Sequence, residues 1–341
     1  MLIKSDDLYA FLHKAVEEKL DGYTDVILPG SKGNGGTFFG HLGDDFNIVL
    51  DSYRTVDPVK ILFYLTRERM QPDEWATKKR IILGVKACDL RALELLDRAL
   101  INQDFVDPAY KHWRENSTIV TTDCSEIADT CHCNLLDGLP FAESGFDLNL
   151  SRLDENFVVN VGSEKGEALL NLMKKQVKLE QISETVKQQV DDNRNAVRDL
   201  LVKQNSAFPR SKNLDHMRSV ELDWWSDESR ACIGCGACTN ICPTCYCLIL
   251  NDETEAQKFI KERTYDSCQW SGYARVAGGG TPRPEMGKRF RNRYLCKFDY
   301  MPHNFDRIGC TGCGRCTDAC AAQIDFREVV SKASAKEPVT Q

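Results

Sequence analysis

At 341 residues with 42% hydrophobic content, the chain exceeds the usual size of one domain and can bury a sizeable core, so two domains are the natural division. A net charge of −7 argues against a general nucleic-acid binder, because neutralising phosphates calls for a surplus of Lys and Arg over a broad face. Sixteen cysteines in a chain read as cytoplasmic point to metal ligation, since a reducing compartment does not sustain a framework of disulfides.

Residues 1–20, MLIKSDDLYAFLHKAVEEKL, scatter charge along an amphipathic helix and lack the apolar core of a secretory signal or membrane anchor. No later stretch reaches the ~18 consecutive apolar residues of a membrane crossing, so a cytoplasmic protein without a membrane span is expected. Residues 1–165 alternate helical patterns with branched apolar runs at 24–29, 47–50 and 81–85, which predicts an α+β or α/β domain. Between them, GSKGNGGTFFG at 30–40 lacks the Lys-Ser/Thr ending of a phosphate loop and does not match G-x-G-x-x-G, so it reads as a flexible turn.

RIILGVKACDLRALELLDRAL reads as a buried strand, a short turn at 86–88, and a helix capped by Asp89 with Leu90, Leu93, Leu96 and Leu100 inward. Cys88 falls at that helix N-terminus, where the dipole favours a thiolate. With Cys124, Cys131 and Cys133 it makes a C-x6-C-x-C group plus a remote cysteine. That group reads either as a third [4Fe–4S] site or as buried thiols behaving as small hydrophobes. His132 reads as a supporting or surface residue rather than a ligand. Residues 166–205 keep apolar positions at helical spacing (Leu169, Leu170, Met173, Val177, Ile182, Val186, Val190, Val197, Leu201), expected as one long helix or a helical pair connecting the halves. The polar stretch 205–213, with Pro209, is the candidate boundary.

Residues 206–341 are poor in secondary-structure signals and dense in Cys, Gly and Arg, as expected of a domain ordered by metal–thiolate bonds. Cys232, Cys235, Cys238 and Cys242 form C-x2-C-x2-C-x3-C before Pro243, and Cys310, Cys313, Cys316 and Cys320 repeat the spacing, with Ala321 in place of the proline. In this pattern three thiolates wrap one cubane and the fourth points at the other cluster. Cys232, Cys235, Cys238 and Cys320 are therefore assigned to the first [4Fe–4S] cluster, and Cys310, Cys313, Cys316 and Cys242 to the second. Gly234, Gly236, Gly312 and Gly314 let the backbone approach the sulfurs. A pair of zinc knuckles expects two C-x2-C pairs with a longer spacer, which fits poorly. Such cubanes carry single electrons, at potentials anywhere within about −700 to +450 mV.

The insert at 243–309 holds Cys245, Cys247, Cys268 and Cys296, read as mostly structural, with a further cluster or a zinc site as the alternative. It also holds RPEMGKRFRNRYLCK at 283–297, with six basic residues against one acidic. Such a run is usually a solvated face, yet here it could balance cluster charge or dock an acidic partner. No H-E-x-x-H, G-x-S-x-G, P-loop or Cys-Cys-Gly pair occurs, so no catalytic centre is recognised.

GVKACDLRALELLDRAL, WRENSTIVTTDCSEIADTCHC, ESGFDLNLSRL, VGSEKGEALL, CIGCGACTNICPTCYC, DSCQWSGYARVAGGG and RFRNRYLCKF resemble, in order and spacing over residues 80–321, the dicluster β-subunit family of cytoplasmic sulfhydrogenases and the A subunit of anaerobic sulfite reductase. The chain also resembles the iron–sulfur component of flavin oxidoreductases that feed heterodisulfide reductase. The resemblance implies a subunit beside an NAD(P)H-oxidising, FAD-containing partner of ferredoxin-reductase type. It also implies a catalytic partner: a hydrogenase, a sulfite reductase or a heterodisulfide reductase. On that reading the partner flavin splits a hydride's electron pair, the clusters carry single electrons, and catalysis belongs to the assembly. The alternatives are a self-contained flavin-binding reductase and a metal-stabilised interaction protein.

Overall fold

The structure is a computed structural model and describes residues 1–33, 35–70, 78–208 and 214–336. Its strands are β1 (Leu2–Lys4), β2 (Tyr23–Ser31), β3 (Thr37–His41), β4 (Asn47–Ile48), β5 (Arg67–Arg69), β6 (Lys79–Val85), β7 (Ser117–Thr122), β8 (Leu148–Leu153), β9 (Asn156–Val161), β10 (Leu248–Glu255) and β11 (Lys258–Tyr265). Its helices are α1 (Ser5–Glu17), α2 (Ala87–Leu100), α3 (Pro108–Glu115), α4 (Glu164–Gln176), α5 (Glu184–Gln204), α6 (Leu222–Glu228), α7 (Ala237–Asn240), α8 (Met286–Leu295), α9 (Met301–Phe305), α10 (Arg315–Asp318) and α11 (Phe326–Ser334).

The three branched runs read from the sequence become β2, β4 and β6. They belong to an eight-stranded sheet ordered β1-β9-β8-β7-β6-β2-β3, with β4 also against β2. The centre, β2-β6-β7-β8, is parallel, and its edges are antiparallel. A parallel centre must be covered on both faces. On one face Leu8, Phe11 and Leu12 of α1 and Leu169, Leu170 and Met173 of α4 pack against Leu28, Ile81, Leu83 and Val120. On the other, Leu90, Leu93, Leu96 and Leu100 of α2 and Tyr110 of α3 pack against Ile82, Val85 and Ile119. The N-terminal region is thus α/β. The Gly-rich run supplies the end of β2 and the start of β3, and Asn34 lies outside the described residues.

Residues 166–205 form a helical pair, not one helix. Val177 is extended, and Ser183 starts α5 by accepting the Val186 N–H at 3.3 Å, a cap of the kind worth ~1 kcal/mol. α4 belongs to the sheet core. α5 lies over β8 and over the loop between β7 and β8, where Gln204 and Asn205 donate to the Cys131 carbonyl at 3.0 and 2.9 Å. Of the stretch expected as a boundary, Asn205 is 2% exposed, and 209–213 lie outside the described residues.

The C-terminal region has more regular structure than its sequence suggested. An aromatic core of Trp225, Phe290, Tyr294, Phe298 and Phe326 joins α6, α8 and α11. The insert folds into the β10–β11 hairpin, and β5, from the N-terminal half, adds as a third strand. Arg263 of β11, fully buried, pairs there with Glu68 and Asp107.

The two halves also meet at Asp89. Sequence reasoning made this residue a helix cap. Instead Lys86 occupies the N-cap position with extended backbone, and the Asp89 carboxylate is spent on Arg315, 2.7 Å away, both groups 1% exposed. Arg315 further donates to the carbonyls of Thr55 and Val56 at 2.8 and 3.1 Å. Removing one partner of such a pair strands a buried charge. Asp89→Ala is therefore expected to cost about 3–5 kcal/mol in anaerobic denaturant unfolding, and a loss under about 0.5 kcal/mol would mean that the pair does not hold the halves together.

Candidate iron–sulfur centres

Two parallel strands aim the N-terminal cysteines at one place. β6 ends at Val85 and leads to Cys88, and β7 ends at Thr122 and leads to Cys124, so both emerge at the carboxyl edge, where open α/β sheets present their ligand sites. A crossover between parallel strands is usually an α-helix. Between β7 and β8 it is instead a loop with one short 3-10 turn, Cys133–Leu136, and this loop carries Cys131 and Cys133. Cys124 lies within electrostatic reach of Cys131, Cys133 and Cys88, so the structure brings the four together.

The second C-terminal motif docks on that loop. Gly312 and Gly314 have φ of +70° and +75°, and a Cβ on Gly312 would lie 2.5 Å from the Cys133 Cα. One on Gly314 would lie 2.3 Å from the Thr130 carbonyl oxygen. Only glycine allows this conformation and this closeness together. The His132 N–H donates to the Gly312 carbonyl at 2.8 Å, and Arg54 donates to the Cys313 carbonyl and pairs with Asp318. Cys313 thereby comes within reach of Cys88 and Cys131. His132 itself is buried, stacked on Phe326 and hydrogen-bonded to the Thr130 carbonyl, which corrects the surface alternative.

The spacing pairs Cys320 with the first motif and Cys242 with the second. Cys232, Cys235, Cys238 and Cys320 line one small cavity of about 30 Å³, with Arg293. Cys242 lies instead within reach of Cys310 and Cys316. The remaining cysteines, Cys245, Cys247, Cys268 and Cys296, line a separate cavity of about 340 Å³. Among the described residues no three His, Cys, Asp or Glu side chains converge on a single ion position.

Burial raises the thiol pKa values: Cys310 to about 12, Cys133 to about 12 and Cys124 to about 11. Cys88 is also pushed up, by burial first and the Asp89 carboxylate next, against the helix-dipole preference expected for it. Ligation requires thiolates, so metal must drive off these protons, and the structure supplies cations beside them. The basic run is not a solvated face at its inner positions: Arg289, Arg293 and Lys297 are buried. Burial opposes the charge on Arg293, but Cys238 and Cys316 more than offset it; Lys297 is held charged in the same way by Cys242, Cys245 and Cys296. Lys86 donates to the Leu50 carbonyl, Thr122 Oγ1 and the Asp123 carbonyl at 2.9–3.0 Å, facing Cys124. Lys60, brought to about 8 by burial, donates to the Cys245 carbonyl at 2.9 Å. Donor chemistry, glycine cradles and buried cations together fit thiolate-ligated clusters. Sequence reasoning missed Arg54, Lys60, Lys86 and Arg315 as parts of these sites. Only Lys86, beside Cys88, and Arg315, inside the second motif, carried any signal.

The α/β sheet and paired four-cysteine loops define an iron–sulfur electron-transfer protein, and residues 231–324 match the family described as 4Fe-4S dicluster domain. The chain is 33% identical over 297 residues to sulfhydrogenase 2 subunit beta of Pyrococcus furiosus, a similarity covering 83% of this chain and 84% of that protein. It belongs to the sulfhydrogenase β-subunit family. No solved structure matches, and no helix among the described residues is long and apolar enough to cross a membrane.

Arg293 reaches sulfurs of both motifs, so removing its charge destabilises the more negative, reduced state. Arg293→Met is expected to lower the potentials on the order of tens of millivolts in EPR-monitored titration, with iron content retained. Unchanged potentials would show that the guanidinium does not sense the clusters.

Proposed function

We propose that this chain is the electron-relay subunit of a cytoplasmic multisubunit oxidoreductase. It exchanges single electrons between an NAD(P)H- and FAD-binding partner of ferredoxin-reductase type and a catalytic redox partner. The similarity to a sulfhydrogenase β subunit favours a hydrogenase as that catalytic partner over a sulfite or heterodisulfide reductase. Cys232, Cys235, Cys238 and Cys320 hold one [4Fe–4S] cluster, Cys310, Cys313, Cys316 and Cys242 a second, and Cys88, Cys124, Cys131 and Cys133 a third. Such clusters supply reversible one-electron exchange.

The observation that carries this reading is the continuity of the thiol groups. Ile233, 70% exposed, and Cys235 put the first group at the surface. Arg293 lies within electrostatic reach of both Cys238 of the first group and Cys316 of the second. Cys313 of the second reaches Cys88 and Cys131 of the third. The protein holds these sulfurs, orders their loops through Gly312 and Gly314, and keeps buried cations against them. The N-terminal sheet, with its parallel carboxyl edge given over to cysteines, extends the path of the dicluster.

Three variants of the anaerobically purified full chain test the assignment. Cys235→Ala, Cys313→Ala and Cys124→Ala are each expected to lose about four irons and four sulfides per chain relative to the unsubstituted protein. Full iron retention in either of the first two would defeat the dicluster assignment, retention in the third would make the N-terminal thiols structural, and zinc without iron in the parent chain would overturn the relay itself.

A further inference from the structure

The cavity among Cys245, Cys247, Cys268 and Cys296 is unlike the rest of the interior. Its four thiols come from three separated segments: the turn before β10, the turn after β11, and the residue that follows α8. Sequence reasoning took them as mostly structural thiols, which pack like small hydrophobes and leave no space between them. Here they surround about 340 Å³.

The lining is suited to anionic sulfur. Lys297 of the lining donates to Cys245 Sγ at 3.3 Å, and Gln269, which itself lines the cavity of the first motif, donates to Cys268 Sγ at 3.3 Å. The Tyr273 hydroxyl stands 4.0 Å from Cys247 Sγ, and Arg283 also faces the cavity. Hydrogen-bond donors and cations aimed at thiolate sulfurs are what the outer layer of a metal–sulfur site requires. Four thiolates converging on one zinc ion would need Zn–S distances of about 2.3 Å, and no three ligand-type side chains converge so tightly among the described residues. Four thiols held apart around an open volume match a cluster, in which each iron takes its own thiolate.

We propose that Cys245, Cys247, Cys268 and Cys296 ligate a further [4Fe–4S] cluster, outside both repeated motifs and the N-terminal group. The site adjoins both motifs: the Cys245 and Cys242 thiols hydrogen-bond each other, and Cys268 lies within reach of Cys238. It would branch the relay toward the face of the β10–β11 insert. The assignment goes beyond the relay reading and holds whether or not the N-terminal group carries a cluster.

The test uses the full chain, purified anaerobically, and the double variant Cys247→Ala/Cys296→Ala, which leaves Cys245 beside Cys242 untouched. Iron, sulfide and zinc are quantified, and the dithionite-reduced samples are compared by EPR. The expected result is a loss of about four irons and four sulfides per chain, with the signals of the two repeated motifs retained. Unchanged iron and sulfide, or loss of zinc instead, would overturn it. An iron-free parent chain would defeat the relay reading separately. Should the variant not fold, the parent chain decides: Cys247 and Cys296, both partly exposed, are expected to resist iodoacetamide until ferricyanide and EDTA strip the iron. Alkylation of both in a chain keeping its full iron would equally overturn the site.

Discussion

The buried pair between Asp89 and Arg315 is the constraint on which the arrangement depends. Asp89 follows Cys88 in the first turn of α2, just past the end of β6, and Arg315 sits between Cys313 and Cys316, so the ion pair ties two thiol groups together. Burying two opposite charges is favourable only when their remaining hydrogen-bonding capacity is met, and the Thr55 and Val56 carbonyls meet it for Arg315. The close approach of Gly312 and Gly314 to residues 130–133 then brings Cys313 to the N-terminal cysteines. A side chain at either glycine would hold the loops apart.

A second constraint is electrostatic. Thiols pushed up by burial stay neutral unless something favours the anion, and so many in one interior would repel one another once ionised. The chain is acidic overall, yet Arg54, Lys60, Lys86, Arg293, Lys297 and Arg315 are buried around the sulfurs. Arg293 and Lys297 are four residues apart, one helical turn, so the end of α8 and the turn after it present both cations to the cysteine loops while Phe290 and Tyr294 fill the aromatic core. One segment thus supplies both packing and charge compensation.

The insert between the repeated motifs is integrated in the same way. β5 pairs with β11, and Arg263 is buried between Glu68 and Asp107, so the hairpin is sewn to the N-terminal half through backbone and charge together. The turns flanking the hairpin bring Cys245, Cys247 and Cys268 to the lining of one cavity, which Cys296, the residue after α8, also lines.

The sequence by itself determined the eight motif cysteines, the glycines between them, the α/β character of residues 1–165 and the amphipathic helices, because each of these is a local pattern: a ligand spacing, a turn requirement or a hydrophobic period. The proposed exchange of Cys242 and Cys320 likewise rests on the three-plus-one spacing. Only the tertiary structure decided the rest. The partner of Asp89 lies more than two hundred residues away, the strand that completes the β10–β11 sheet comes from the other half, and the basic run at 283–297 could not reveal that its inner face is buried. The sequence offered Cys88 with Cys124, Cys131 and Cys133 as one possible group and left Cys245, Cys247, Cys268 and Cys296 as mostly structural, but how near the members of each set come depends on strand order and on where a hairpin folds back. Such contacts form between distant segments, and no local period or spacing encodes which of them will meet.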